Sequence, residues 1–400
     1  MKILCRICKG MNLISILDLG EHYLSDFRND LSKPPKFPLN LLLCENCSLV
    51  QLSVTVDRNL MYHDGYGYRS GTNELIRENL SWIVSKGLSF VPSAKSWLDI
   101  ACNDGTLLSF VDPQLYKVGV DPVEKFAKES KLHADVIISD FFSSDIVSEK
   151  FDIITSISMF YDLDDPNEFV KDVANKLEVG GVWIIQQNYL ASMLDNVSFD
   201  NICHEHITYF SLSALNYLFE QNGLEIVDLE FPAINGGSIL TIVAHKGDFT
   251  QSSKVHEHLT YEAAMNLTNR NGFTKFAFEV DQNIQILCNL LDDISKKNET
   301  VQIYGASTRG GTIWQCLGKH IDAVDVAVER QMEKVGKYYS VIGKLIISEK
   351  QMRETPPNYL LIGPWFLRDS FIDREKDYIG KGGAMIFPLP KVEIVEDRSS

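Results

Sequence analysis

The sequence predicts an α/β protein with two doubly wound parallel sheets behind a small cysteine-rich module. Three observations predict it: strand-like and helix-like segments alternate from about residue 96, a second strand–loop–helix start lies at 301, and two C-x2-C pairs fall within the first fifty residues. Alternating βα units form parallel sheets because each helix carries the chain back to the same end of the sheet. At roughly 100–200 residues per domain, 400 residues with 45% hydrophobic and 23% charged content suffice for several domains, each with its own core.

Charge narrows the function classes. Thirty-eight Lys and Arg stand against 54 Asp and Glu, a formal net charge of −16, and the basic residues are scattered rather than gathered into a stripe. The balance argues against binding a phosphate backbone as the main activity, and no nucleic-acid partner is expected. No apolar run approaches the ~18–20 residues of a membrane span, and Met1-Lys2-Ile3-Leu4-Cys5 does not begin a signal-peptide apolar region, so a cytoplasmic protein without a membrane partner is expected.

Taken in order, residues 1–71 hold Cys5/Cys8 and Cys44/Cys47, the second pair between the strand-like runs 41–43 and 48–52. Each x2 turn places two sulfurs on one side of a knuckle, so two knuckles can surround one zinc ion with four thiolates; a closed site of that kind is structural. Reduced core thiols and a redox pair are the alternatives. Residues 72–250 form the first α/β unit. An amphipathic helix carrying Leu75, Ile76, Leu80, Ile83 and Val84 leads into strand SWLDIA, a helix from Thr106, strand KVGVDP, helix VEKFAKES, strands DVIISD and DIITSISMF, helix EFVKDVANKLEVGG and strand VWIIQQ. A single helix over roughly 255–297 fills a connection at 251–298. Residues 299–400 start again with VQIY, a glycine-containing loop and a helix, followed by strands DAVDVAVE, NYLLIGP and AMIFPLP.

The loop after the first central strand, Ala101-Cys102-Asn103-Asp104-Gly105-Thr106, opens a helix and follows Asp99; 22 residues after Asp99 comes Asp121, before Pro122. An acidic residue at that strand end can accept both hydroxyls of a ribose. With a single glycine the loop provides poorly for a pyrophosphate, so S-adenosylmethionine fits better than a dinucleotide. At the next strand end Asp140 can take an adenine amine and Phe141 can face the ring. Asp99 and Asp140 can equally be strand-end caps.

The quartet CRIC and CENC, the segment YGYRSG at 66–71, WLDIACNDGTLL, FDNICHEHITYFSLSALNYLFEQNGLEI, NGGS at 235–238, YGASTRGGT and WFLRD together resemble the sugar C-methyltransferase family. The resemblance runs in the same order over nearly the whole chain. It implies an N-terminal zinc module, a central Rossmann-like S-adenosylmethionine domain and a C-terminal Rossmann-like domain that helps hold a nucleotide-linked keto-deoxysugar. It further implies methylation of a ring carbon beside a ketone by a monomer or weak homodimer. Within Cys203-His204-Glu205-His206 the histidines are two apart and cannot share a helical face as a zinc-protease pair would. The resemblance makes His206 the base, Glu205 its partner and His204 a neighbour, where the residues alone allow a helix-capping role. By the same carry-over Tyr66, Tyr68 and Ser70 lie over the active site; after the fourth strand Ser158 is expected at the cofactor, and the Tyr161 hydroxyl can serve the enolate oxygen. Asn188, Asn235, Gly236, Arg309, Trp365 and Lys391 are the expected substrate contacts, Arg309 forking to a phosphate at a helix N-terminus; Lys391 can equally be a solvated surface residue. Two positions depart from the family pattern, Cys203 where it has tyrosine and Asp162 where it has histidine. A methyl acceptor at oxygen or nitrogen is the alternative that they leave open.

Overall fold

The computed structural model of the protein describes residues 3–57, 60–61 and 69–397. Its N-terminal part is a long antiparallel hairpin of β1 (Leu13–Tyr23) and β3 (Lys36–Cys44), with β2 (Phe27–Arg28) in the connection and β4 (Val50–Leu52) alongside β3. Pro34 and Pro35 lie in that connection, where no ladder donor is needed.

The central unit runs α1 (Glu74–Phe90), β5 (Ser96–Ile100), α2 (Thr106–Phe110), β6 (Tyr116–Val120), α3 (Ala127–Ser130), β7 (Val136–Ile138), β8 (Phe151–Ile157), α4 (Pro166–Lys176), β9 (Leu177–Asn188), α5 (Leu190–Asp195), β10 (Thr208–Tyr209), α6 (Leu212–Glu220), β11 (Leu224–Glu230) and β12 (Ser238–His245). Its sheet has the order β11-β12-β9-β8-β5-β6-β7, with β5 to β9 parallel and β12 antiparallel to β9. Both faces are covered, which is why these strands read as continuous apolar runs. Trp97, Ile153, Val182 and Ile184 pack with Leu80, Ile83 and Val84 of α1 on one face; Leu98, Ile154, Trp183 and Ile185 belong to the larger core with Val170, Val173 and Phe219. Helix starts follow side-chain caps: Asn73 accepts from the Leu75 amide, Asp165 from those of Asn167 and Glu168, Ser211 from that of Ala214.

Helices α7 (Ser253–Ala264) and α8 (Asn271–Lys296) lead to β13 (Val301–Tyr304), α9 (Thr308–Cys316), β14 (Val324–Glu329), β15 (Tyr338–Tyr339), β16 (Lys344–Ser348), β17 (Tyr359–Ile362), β18 (Ala384–Phe387) and β19 (Glu393–Val395). The last sheet is ordered β19-β18-β17-β13-β14-β16-β15-β2. Among the described residues no helix is long and apolar enough to cross a membrane.

Three local expectations are corrected. The single helix over 255–297 is two helices, because Asn266 takes a left-handed φ of 55° within the polar run that follows α7, and Asn269 accepts from the Asn271 amide at the start of α8. LEVGG belongs to β9 rather than α4, with Gly180 at a φ of 75° and Gly181 against the Asp152 carbonyl. VEKFAKES yields a 3-10 turn and only the four-residue α3.

The sheets are not separate. Strand β10, two residues after His206, pairs with β4, and β2 pairs with β15. The N-terminal sheet thus borrows a strand from the central unit and lends one to the C-terminal sheet.

Candidate active site

The four paired cysteines converge as expected. Their sulfurs lie within 4.8 Å of one another, with Cys5 to Cys47 at 3.4 Å and Cys8 to Cys44 at 3.5 Å. Tetrahedral zinc with bonds of about 2.3 Å separates its sulfurs by about 3.8 Å. The hydrogen bond from Cys47 holds the Cys5 thiol down at about 5, while burial pushes Cys44 up to about 11. Thiols this close ionise together around a dication, so the donor set fits zinc. The knuckle is docked on α4: Asn167 donates to the Arg6 and Ile7 carbonyls, at 3.1 and 2.9 Å.

A cleft of about 1390 Å³ opens where β5, β6, β8 and β9 end, the usual place for a ligand in a doubly wound sheet. Its walls include Ser70, Asp99, Ala101, Asn103, Asp121, Pro122, Asp140, Phe141 and Ser158, so these sequence-derived positions are brought together. Gly105 does not face it, but shapes the loop: its φ is 78°, and a Cβ there would stand 2.7 Å from the Ser130 Cα. Ala101, Asn103 and Ser158 also have positive φ, at 62°, 50° and 56°, strain of the kind that clusters at ligand sites. Asp121 accepts from the amides of Asn103 and Val123, both at 2.8 Å, and burial raises its carboxyl. Asp99 is more deeply placed, its carboxyl pushed to about 7 by burial, with Thr155 donating at 2.7 Å. Asp140 and Phe141 are exposed at the rim. Ser70 and Gly71 donate to Asn103 and Asp104, tying the segment after residue 68 to the loop. Tyr66 and Tyr68 lie outside the described residues. A cleft of this size, ending in a carboxylate at the second strand and a rim aromatic, suits S-adenosylmethionine.

The two histidines separate. His206 Nδ1 lies 3.0 Å from the Asn201 carbonyl. A carbonyl only accepts, so Nδ1 carries the hydrogen and Nε2 keeps its lone pair. Burial, and secondly the positive charge of Arg309, lower the imidazole to about 4, so the ring is neutral at pH 7. Tyr161 packs edge-on against it at 4.4 Å between centroids, and Asn188 lines the same small cavity. Ser158, Met159 and Asp162 of the intervening segment face the large cleft. His204 lies with its Nε2 3.0 Å from the Phe37 carbonyl, a contact with the N-terminal hairpin. The Asn201 carbonyl stands at His206 Nδ1, Glu205 takes the Cys203 thiol, and burial raises the Glu205 carboxyl.

In the C-terminal loop Arg309 meets a carboxylate of the central unit. Arg309 is expected to hold a phosphate, yet its guanidinium is neutralised by the fully buried Asp200, with Nε at 2.9 Å and Nη2 at 2.7 Å from Oδ2. Ser307 caps α9 by accepting from the Gly310 amide, while Lys334 and Tyr339 donate to the Ala306 and Ser307 carbonyls and so hold the loop that precedes the helix. Arg309, Trp365, Asn235 and Gly236 do meet: Trp365 donates to Asp200 at 3.0 Å, Arg309 Nη1 donates to the Asn235 carbonyl at 2.7 Å, and a Cβ on Gly236 would stand 3.1 Å from the Trp365 ring. Lys391 is exposed and lines none of these cavities. Sequence reasoning missed Asp200, Asn201 and Tyr209, whose hydroxyl donates to the Asn201 carbonyl at 3.3 Å. The polar FDN turn just before the histidine segment was the available signal.

Known proteins point the same way. Family models match in order a zinc binding domain at residues 5–62, a methyltransferase domain at 70–229 and a C-methyltransferase C-terminal domain at 233–390. The C-methyltransferase NovU of Streptomyces niveus is 24% identical over 99% of this chain and 97% of that protein. Among solved structures, the N-methyltransferase NodS of Bradyrhizobium japonicum overlaps 44% of this chain and 98% of its own, with 16% identity and a TM-score of 0.35. A S-adenosylmethionine-dependent methyltransferase from Clostridium acetobutylicum overlaps 43% and 92%, with 17% identity and a TM-score of 0.36. The chain belongs to the C-methyltransferase family, as a zinc-binding, S-adenosylmethionine-dependent methyltransferase.

Proposed function

We propose that this chain methylates the ring carbon beside the ketone of a nucleotide-linked keto-deoxysugar in the cytoplasm, with His206 as the base. The observation that carries this reading is the His206 geometry: a neutral ring whose Nδ1 hydrogen is fixed on a main-chain carbonyl, leaving Nε2 able to take a proton. A proton α to a ketone is removable because the carbanion is delocalised as an enolate. Tyr161 and Asn188, beside the ring, supply donors for the enolate oxygen in place of the Cys203 thiol, which burial keeps protonated. Asp121, with Asp99 behind it, and the loop from Ala101 to Gly105 hold the cofactor. Bound S-adenosylmethionine supplies the electrophilic methyl group that the carbanion takes up.

The test incubates the keto-sugar in D2O with the wild-type chain and with His206→Ala. The wild type exchanges the α-proton and yields a product whose new methyl is bonded to carbon by NMR. His206→Ala loses both exchange and transfer. Undiminished exchange by the variant removes His206 as the base, and a methyl found on oxygen or nitrogen replaces the carbon reading.

A further inference from the structure

We propose that Asp200 is a positioning residue, through which Arg309 and Trp365 of the C-terminal unit fix the orientation of the His206 imidazole. The role rests on the reading of His206 as the base; the measurement below does not.

The three residues of one turn are held from two sides. Asp200 is fully buried, and its Oδ2 receives Arg309 Nε at 2.9 Å and Trp365 Nε1 at 3.0 Å, with Arg309 Nη2 at 2.7 Å. The next residue, Asn201, presents the carbonyl that fixes His206 Nδ1, while its side chain accepts from Asn188 at 3.2 Å. The residue after that, Ile202, accepts from Thr312 Oγ1 of α9 at 2.8 Å. The carbonyl that sets the tautomer therefore sits between two anchors on the C-terminal unit. An apolar contact would join the two units at least as firmly as a buried ion pair, whose desolvation offsets much of its attraction. What the pair adds is a defined direction, since the guanidinium Nε–H and an indole N–H converge on one carboxylate oxygen.

The titratable groups gathered around this turn are Arg309, Asp162, Cys203, Glu205, Tyr209 and Tyr161. Burial lowers the imidazole most, Arg309 is the charge that lowers it further, and Asp200 is that charge's counterion. The two residues should therefore move His206 in opposite directions: losing Asp200 exposes the ring to more of the positive field, and losing Arg309 removes it.

The experiment uses the full zinc-loaded chain labelled with 15N-histidine, with the His206 signals assigned by their loss in His206→Gln. Long-range 1H–15N spectra should show a pure Nδ1–H tautomer in the wild type and a mixture of tautomers in Asp200→Asn. Arg309→Gln should raise the His206 midpoint by on the order of one pH unit. Arg309→Lys, which keeps the charge but not the Nε–H donor to Asp200, should mix the tautomers while moving the midpoint less. If Asp200→Asn does not fold, Trp365→Phe and Thr312→Val each remove one anchor and should each loosen the tautomer. Variants that lose thermal stability while keeping the wild-type tautomer and midpoint overturn the proposal. Failure of the base assignment shows separately, as α-proton exchange persisting in His206→Gln. With the base confirmed, Asp200→Asn should exchange the α-proton on the order of a hundredfold more slowly at unchanged S-adenosylmethionine affinity.

Discussion

Thr208, two residues beyond His206, lies directly opposite Gln51 in antiparallel register. Gln51 in turn accepts from the Arg6 amide at 2.8 Å and donates to the Leu4 carbonyl at 3.1 Å, on either side of Cys5. The zinc knuckle and the histidine segment are thus one hydrogen-bonded structure. Structural zinc contributes on the order of 10 kcal/mol to small modules of this kind. Cys5→Ser is expected to lose its zinc and its near-UV circular dichroism from the N-terminal hairpin, and to lose methyl transfer while S-adenosylmethionine affinity changes less than about threefold. Zinc assay, circular dichroism and calorimetry check this; full activity in a zinc-free chain contradicts it.

Asp121 shares its carboxylate between two main-chain amides and the cleft. Hydrogen bonds to charged groups contribute about 1.5–3 kcal/mol each. Asp121→Ala should therefore raise the calorimetric Kd for S-adenosylmethionine at least about tenfold, and Asp121→Asn should fall between the two.

Three histidines, His22 and His204 buried and His206 half-buried, make the fold sensitive to acid. Burial lowers His22, His204 and His206 to about 4 each. Their unfolded counterparts take up protons near pH 6.5, which the native chain refuses, so stability present above pH 6.5 is lost progressively as the pH falls towards 4. Each group withdraws about 1.4 kcal/mol by pH 5.5. Asp99, raised to about 7 by burial, acts in the opposite sense, binding a proton in the native chain first and offsetting part of the loss. Urea midpoints between pH 7.5 and 5 should fall, and His204→Asn should flatten that dependence.

Two glycines with nearly equal φ should respond differently to alanine. Gly105, at 78°, would put a Cβ 2.7 Å from the Ser130 Cα, whereas Gly223, at 73°, has nothing within 4 Å. Gly223→Ala meets backbone strain alone, about 1 kcal/mol. Gly105→Ala adds a clash with main chain and should cost at least about 3 kcal/mol in urea unfolding, with weaker cofactor binding.

What the sequence revealed was local. The cysteine quartet, the alternation around SWLDIA and KVGVDP and the carboxylate at Asp121 are read within a few residues, and each stands where it was placed. The different fates of His204 and His206 are not local. One is settled by the Phe37 carbonyl, 167 residues away, the other by a carbonyl five residues back. Arg309 reads as a cation at a helix start, but its counterion comes 109 residues earlier and carries no periodic signature. Strands of two residues, such as β2 and β10, are too short to show an alternation; only their partners define them.

The partnership of β2 with β15 bears on the order of biosynthesis. Ser340 donates to the Asp26 carbonyl across 314 residues, so the N-terminal hairpin keeps an open edge until the residues of β15 have been made. At about 5–20 residues per second that wait is roughly 15–60 s. Stop codons well past the methyltransferase domain would then leave their damage near the amino terminus, and a nascent-chain chaperone would find its substrate there.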